Sequence, residues 1–205
     1  MGKLVVLEGI DFTGKSSLVK ILFEELKTLG FKVAIYKEPT TKGSFNNFYD
    51  YFFDDKVDNV TLFLSLLANR SYSVKNELNY LLDKNDFVIA DRYYYSTLAY
   101  QVIGQKNEDL LKKIFDTFLE VVILPIPDYL FLLTVLSSEL DTVLTRGNNK
   151  NKDNIEKRGK SYFEKINTNF NNLFFEYNFK SISALNNLNK NADIIKNIVL
   201  GDNNE

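Results

Sequence analysis

The segment Gly9-Ile10-Asp11-Phe12-Thr13-Gly14-Lys15-Ser16-Ser17 constrains this chain more than any other. It spells G-x-x-x-x-G-K-S between a short apolar run, Leu4 to Glu8, and a stretch with helical apolar spacing at Leu18, Ile21, Leu22, Leu26 and Leu29. A buried strand feeding such a loop into a helix is a phosphate cradle. Its glycines let backbone N–H groups turn inward, and the helix N-terminus adds partial positive charge. Lys15 is expected to reach the β- and γ-phosphates of ATP, and the Ser16 hydroxyl to ligate Mg2+. Gly9, Asp11, Phe12, Thr13, Gly14 and Ser17 complete the expected phosphate-binding set.

Further strand-like runs lie at Phe31–Tyr36, Phe87–Asp91, Tyr129–Val135 and Phe179–Ala184. Helical patterns occupy Lys15–Leu29, roughly Asn59–Leu82, Tyr94–Val102, Glu108–Val122, Ser138–Thr145, Ser161–Tyr177 and Ala192–Val199, with Gly30 as a C-cap. Strands alternating with helices imply an α/β fold with a five-stranded parallel sheet covered on both faces. At 205 residues, with no Pro/Gly/Ser-rich linker and no repeat, one domain over 1–205 is expected. The polar stretch Gly147 to Asn154 lacks apolar anchors and reads as a mobile surface loop.

The chain contains no Cys, His or Trp. Disulfides, thiol nucleophiles, Ser-His-Asp triads, histidine bases and the usual zinc sites are therefore excluded. Phosphoryl transfer needs none of them, because it runs on positioning and charge neutralisation. A net charge of −2 gives no basic field for nucleic acid. The apolar start breaks at Glu8-Gly9, too short for a signal peptide or membrane span, so a cytoplasmic location and no membrane partner are expected.

Asp91 closes a buried strand at the crevice end, where it would hold Mg2+ through water or cap the next helix. A GTPase would carry an N-K-x-D guanine reader, and Asn151-Lys152-Asp153 lacks the intervening residue. Only four of the 25 basic residues are arginines: Arg70, Arg92, Arg146 and Arg158. In so lysine-rich a chain each is a candidate for a bidentate grip on phosphate or a fixed fork on a base.

Glu8-Gly9-Ile10-Asp11, Lys37-Glu38-Pro39-Thr40, Ala68-Asn69-Arg70 and the stretch Asp91-Arg92-Tyr93-Tyr94-Tyr95-Ser96-Thr97-Leu98-Ala99-Tyr100-Gln101 resemble the thymidylate kinase family, in order and at fitting spacings. The similarity runs through Pro127-Asp128 to Ser183-Ala184. The resemblance implies a three-layer P-loop kinase fold with a mobile lid at about 146–158. It implies transfer of a phosphoryl group from ATP to dTMP with Mg2+, and a homodimer.

By the family's pattern Asp11 contacts the 3′-hydroxyl of the acceptor sugar, Arg92 its phosphate and Arg70 the thymine carbonyl edge. Glu38, Pro39, Leu66 and Ser96 join that acceptor set. Thr97 and Gln101 fall where the base is contacted, and Tyr100 where a ring excludes a ribose 2′-hydroxyl. Tyr93, Tyr94 and Tyr95 read as helix packing with hydroxyls in water. Phe12 stands where some members place an arginine. The transition-state cation is then expected from the lid, with Arg158 first, Arg146 second, and Lys150 and Lys152 as further choices. Such an arginine is worth about 10^3 to 10^5 in rate.

Two positions depart from the pattern. Leu66 replaces a phenylalanine that stacks on thymine, with Phe63 one turn earlier, and Thr40, Thr41 and Lys42 stand where a phosphate-contacting arginine is often found. The competing readings are the same chemistry on dUMP, another nucleoside monophosphate or a deoxynucleoside, and a nucleotide-binding switch without transfer.

Overall fold

The apolar runs become strands in a computed structural model that describes residues 1–147 and 156–201. They are β1 (Lys3–Glu8), β2 (Val33–Lys37), β3 (Phe87–Asp91), β4 (Tyr129–Thr134) and β5 (Lys180–Ser183). All pair in parallel, in the order β2-β3-β1-β4-β5. The central strands are apolar nearly without interruption because helices cover both faces; every residue of β3 and all of β1 after Lys3 are buried. Strand β2 begins at Val33 rather than Phe31. The Phe31 N–H is engaged by Leu26 O in the turn that ends the first helix, where Gly30 takes the left-handed conformation at φ 92°.

That first helix, α1 (Lys15–Thr28), buries Leu18, Leu22 and Leu26 against the sheet. A short helix, α2 (Asp50–Phe53), and a 3-10 turn at Gly43–Phe45 fill a segment for which the sequence patterns give no element. Helix α3 (Asn59–Ser73) starts at Asp58, whose carboxylate accepts the Thr61 N–H at 2.7 Å. It runs through a π turn (Val74–Leu78) into α4 (Asn79–Lys84). Beyond β3, α5 (Tyr94–Thr97) leads directly into a second π turn, Leu98–Val102. The remaining helices are α6 (Glu108–Val121), α7 (Leu140–Thr145), α8 (Lys160–Glu176) and α9 (Leu188–Gly201). Helix α9 starts one turn before Ala192 and is tied to α1 by Lys196, whose ammonium meets Glu25 at 2.9 Å. Among the described residues no helix is long and apolar enough to cross a membrane.

The chain leaves β1 toward β2, returns to β3, and then crosses β1 to reach β4. Ligand crevices of open α/β sheets form at such a reversal, outside the carboxyl ends of the strands. Leu7 is level with Asp91, and Asp91 with Lys37, so Glu8, Asp91 and Lys37 finish at the same edge.

Candidate active site

A cavity of about 340 Å³ opens at that edge. Its floor is the loop between β1 and α1. Gly9 has φ 139°, and a Cβ there would sit 2.9 Å from Leu133 O, so the loop can pass β4 only as glycine. Gly14, at φ 89°, occupies the N-cap of α1. Thr13 is buried and its hydroxyl donates to Ile10 O at 2.8 Å, which braces the loop from within. The Lys15 ammonium donates to Ile10 O at 2.6 Å and to the Thr13 hydroxyl at 3.3 Å. Burial, reinforced by the nearby Arg92 cation, lowers the Lys15 pKa to about 8. Asp11, Phe12, Gly14, Lys15, Ser16 and Ser17 all line the cavity.

Beside the loop, the Ser16 hydroxyl donates to Asp91 Oδ2 at 2.5 Å. A hydroxyl and a carboxylate so close are hard oxygen donors of the kind Mg2+ accepts alongside waters and phosphate oxygens. No group of three or more acidic side chains converges among the described residues. An ion at Ser16 and Asp91 would thus take the rest of its shell from nucleotide and water. Asp91 does not cap α5. That task falls to Glu8, a fully buried carboxylate that accepts the N–H groups of Tyr93 at 2.8 Å and Ser96 at 3.1 Å and the Ser96 hydroxyl at 2.6 Å. Burial raises the Glu8 pKa against the opposing pull of Arg92 and these donors.

Arg92 is held in a left-handed backbone conformation, φ 73°, uncommon for a residue with a side chain. Its own N–H bonds Leu7 O at 3.1 Å, and the next N–H is the one Glu8 holds. The guanidinium donates to Gly9 O and to the Ser96 hydroxyl, each at 2.9 Å, and pairs with the Asp11 carboxylate. It also lies 5.3 Å from the centre of the Tyr100 ring, whose hydroxyl donates to Asp11 Oδ2 at 2.9 Å. Burial would raise the Asp11 pKa, but Arg92, Lys15 and the Tyr100 hydroxyl prevail and hold it below the usual carboxylate value.

A second cluster forms the far wall. Arg70 donates from Nε to Glu38 Oε2 at 2.8 Å and from Nη2 to the Thr97 hydroxyl at 3.0 Å. Glu38 is fixed in turn by the Tyr36 hydroxyl at 2.9 Å, which lies 2.5 Å from Ser73 Oγ. Arg70 Nη1 is buried without a partner. Reciprocal bonds of 2.9 Å between the Asn69 amide and the Thr40 backbone pin the loop after Pro39 to α3. The π turn at Leu98–Val102 has a smaller angular step between side chains than an α-turn, and Thr97, Tyr100 and Gln101 all reach the cavity.

The acceptor residues expected from the sequence, Asp11, Glu38, Pro39, Leu66, Arg70, Arg92, Ser96, Thr97, Tyr100 and Gln101, thus surround one cavity. Arg146 and Arg158 do not line it. Arg146 donates to Ala184 O at 3.1 Å, and the Arg158 guanidinium lies 4.9 Å from the centre of the Tyr162 ring. Lys150 and Lys152 lie outside the described residues. Phe63 is fully buried and stays out of the cavity, whereas Leu66 lines it. Lys42 pairs with Glu77, leaving Lys37 as the lysine of that region in the wall. The Tyr93 hydroxyl donates to Pro125 O at 3.1 Å and the Tyr94 hydroxyl to that of Tyr95 at 2.9 Å. Tyr49 and Phe52 of the α2 region also line the cavity. The signal that could have revealed them is six aromatic residues within Ser44 to Phe53.

Comparison with known proteins identifies the family and the fold. The family model described as "Thymidylate kinase" matches residues 7–195. A thymidylate kinase of Prochlorococcus marinus (strain NATL2A) is 30% identical over 204 residues, covering 95% of this chain and 94% of the relative. A probable thymidylate kinase of Metallosphaera sedula is 34% identical over 202 residues, with coverage of 97% and 92%. In fold, the crystal structure of thymidylate kinase from Ehrlichia chaffeensis superposes with a TM-score of 0.73 at 18% identity, covering 97% of this chain and 98% of that one. With its family model matched from the strand before the phosphate loop to the last helix, this chain belongs to the thymidylate kinase family.

Proposed function

We propose that the chain transfers the γ-phosphoryl group of ATP to dTMP, giving dTDP and ADP, in the supply of dTTP precursors. The observation that carries the acceptor reading is Arg70. Arg70 lines the cavity, locked by Glu38 and Thr97 and with its buried Nη1 lacking a partner, so the guanidinium retains donor capacity for a carbonyl. The thymine O4 edge supplies one, whereas cytosine would present an amino group against it.

The acceptor phosphate is already anionic, so no general base is required. Arg92, and Lys37 from the β2 edge, neutralise it. Asp11, held between Arg92 and Tyr100, accepts the 3′-hydroxyl of the sugar and turns the acceptor toward the γ-phosphorus. Tyr100 fills the space a 2′-hydroxyl would need. One acceptor oxygen attacks the γ-phosphorus in line while the bond to the ADP oxygen breaks, and Lys15 carries charge on the β- and γ-phosphates. Ser16 and Asp91 would hold Mg2+, which would supply further charge neutralisation to the transferring group. The remaining cation comes from a lid at about 146–158 in a single domain, Arg158 before Arg146. A cytoplasmic homodimer fits the family pattern, and Leu64, Leu110 and Val121 are exposed apolar residues suited to self-association.

Arg70→Lys tests the acceptor reading. It keeps the charge but loses the fork, so KM for dTMP should rise about tenfold or more with KM for ATP little changed. Equal KM values for dTMP in wild type and variant would remove the central support for thymine recognition.

A further inference from the structure

The acceptor half of the cavity has a polar edge at Arg70 and Thr97, but a planar base also needs an apolar face. Leu66 offers only an aliphatic branch, and Phe63 is wholly buried outside the cavity. Two of the aromatic rings in the wall are already committed. Tyr100 lies against Arg92 and bonds Asp11, and Tyr93 is completely buried. A third, Tyr49, has the Lys37 ammonium 5.4 Å from its ring centre. Phe52 is half-buried, lines the cavity, and meets Phe48 and Tyr49 of its own segment at 6.1 and 5.8 Å between ring centres.

The position of Phe52 is built into the fold. Phe48 is buried and stacks on Tyr51 at 5.3 Å, while Phe45 meets Tyr72 of α3, also at 5.3 Å. This aromatic packing seats the α2 segment on α3 and directs Phe52 to the cavity.

We propose that Phe52 is a specificity-determining residue whose ring, with Leu66, forms the apolar wall against the acceptor's pyrimidine base. The aromatic face comes from α2, and the aromatic-rich segment from Ser44 to Phe53 holds it in place. The inference rests on dTMP being the acceptor.

Steady-state kinetics of the full chain test it. Phe52→Ala should raise KM for dTMP about tenfold or more, as expected for loss of a base–aromatic contact, while KM for ATP stays within about twofold. The chain has no tryptophan, so Phe52→Trp adds a single reporter that does not depend on the alanine variant folding. Its emission should change on titration with dTMP and not with inorganic phosphate. An unchanged KM for dTMP in Phe52→Ala, or an emission from Phe52→Trp that dTMP leaves unchanged, overturns the assignment. A wild-type chain that phosphorylates another monophosphate but not dTMP would instead sink the substrate reading beneath it.

Discussion

In the proposed reaction, Asp11 is the residue that turns a phosphate cradle into a site for two substrates. A carboxylate inside such a loop repels triphosphate unless it serves another group, and here it is gripped by Arg92 and Tyr100. Asp11→Asn should lower kcat at least about 100-fold while the dissociation constant for ATP, measured by calorimetry, changes by less than about threefold. Surviving transfer would mean that the carboxylate has no part in aiming the acceptor. Lys15 makes a different prediction. Its pKa in the free protein is lowered to about 8, and a phosphate partner in the complex raises it. Binding of ATP should therefore take up a proton above about pH 8, with affinity falling as the pH rises through that value. Calorimetry in buffers of different ionisation enthalpy measures the uptake, which should vanish near pH 6, where Lys15 is charged in both states.

Among elements, the turn from β3 into α5 shows how the fold supports the chemistry. Arg92 holds a left-handed backbone because Leu7 O takes its N–H and the Glu8 carboxylate takes those of Tyr93 and Ser96. Glu8→Gln keeps the shape but puts an amide where only acceptors fit. A loss of about 2 kcal/mol is expected, a fall in Tm of about 4–8 °C, together with a raised KM for dTMP because Arg92 loosens. Glu8 is legible in the sequence as a strand end and a motif position but not as a cap, since nothing local in a sequence tells which distant N–H groups an acid will meet. The strands and long helices were legible because continuous apolar runs and 3.6 spacing are written in each segment. Helix α2 was not: its four residues are too short for a period, and its aromatics make sense only in a cluster that reaches α3 through Phe45, which precedes the helix and meets Tyr72. The two π turns escaped for the same reason, since an i→i+5 turn within a helical pattern leaves no compositional mark.

At the scale of the whole molecule, the sheet brings segments distant in sequence to one edge, and the phosphate loop reaches Gly147 and α8 through Phe12. Its ring meets Phe163 of α8 at 5.9 Å between centres and packs on Gly147, where a Cβ would lie 2.2 Å from the ring. Gly147→Ala should therefore push Phe12 and its loop aside, raising KM for ATP several-fold with KM for dTMP little affected; steady-state kinetics in both substrates checks this. The account as a whole stands on the phosphoryl acceptor. The direct measurement is chromatographic identification of the product formed from ATP labelled at the γ-phosphate with dTMP, dUMP, dCMP, dAMP, dGMP and thymidine offered in turn. Label appearing in dTDP, with dTMP preferred and dCMP rejected, is the predicted result. Label passing to another acceptor while dTMP stays untouched, or released only as inorganic phosphate, would contradict it.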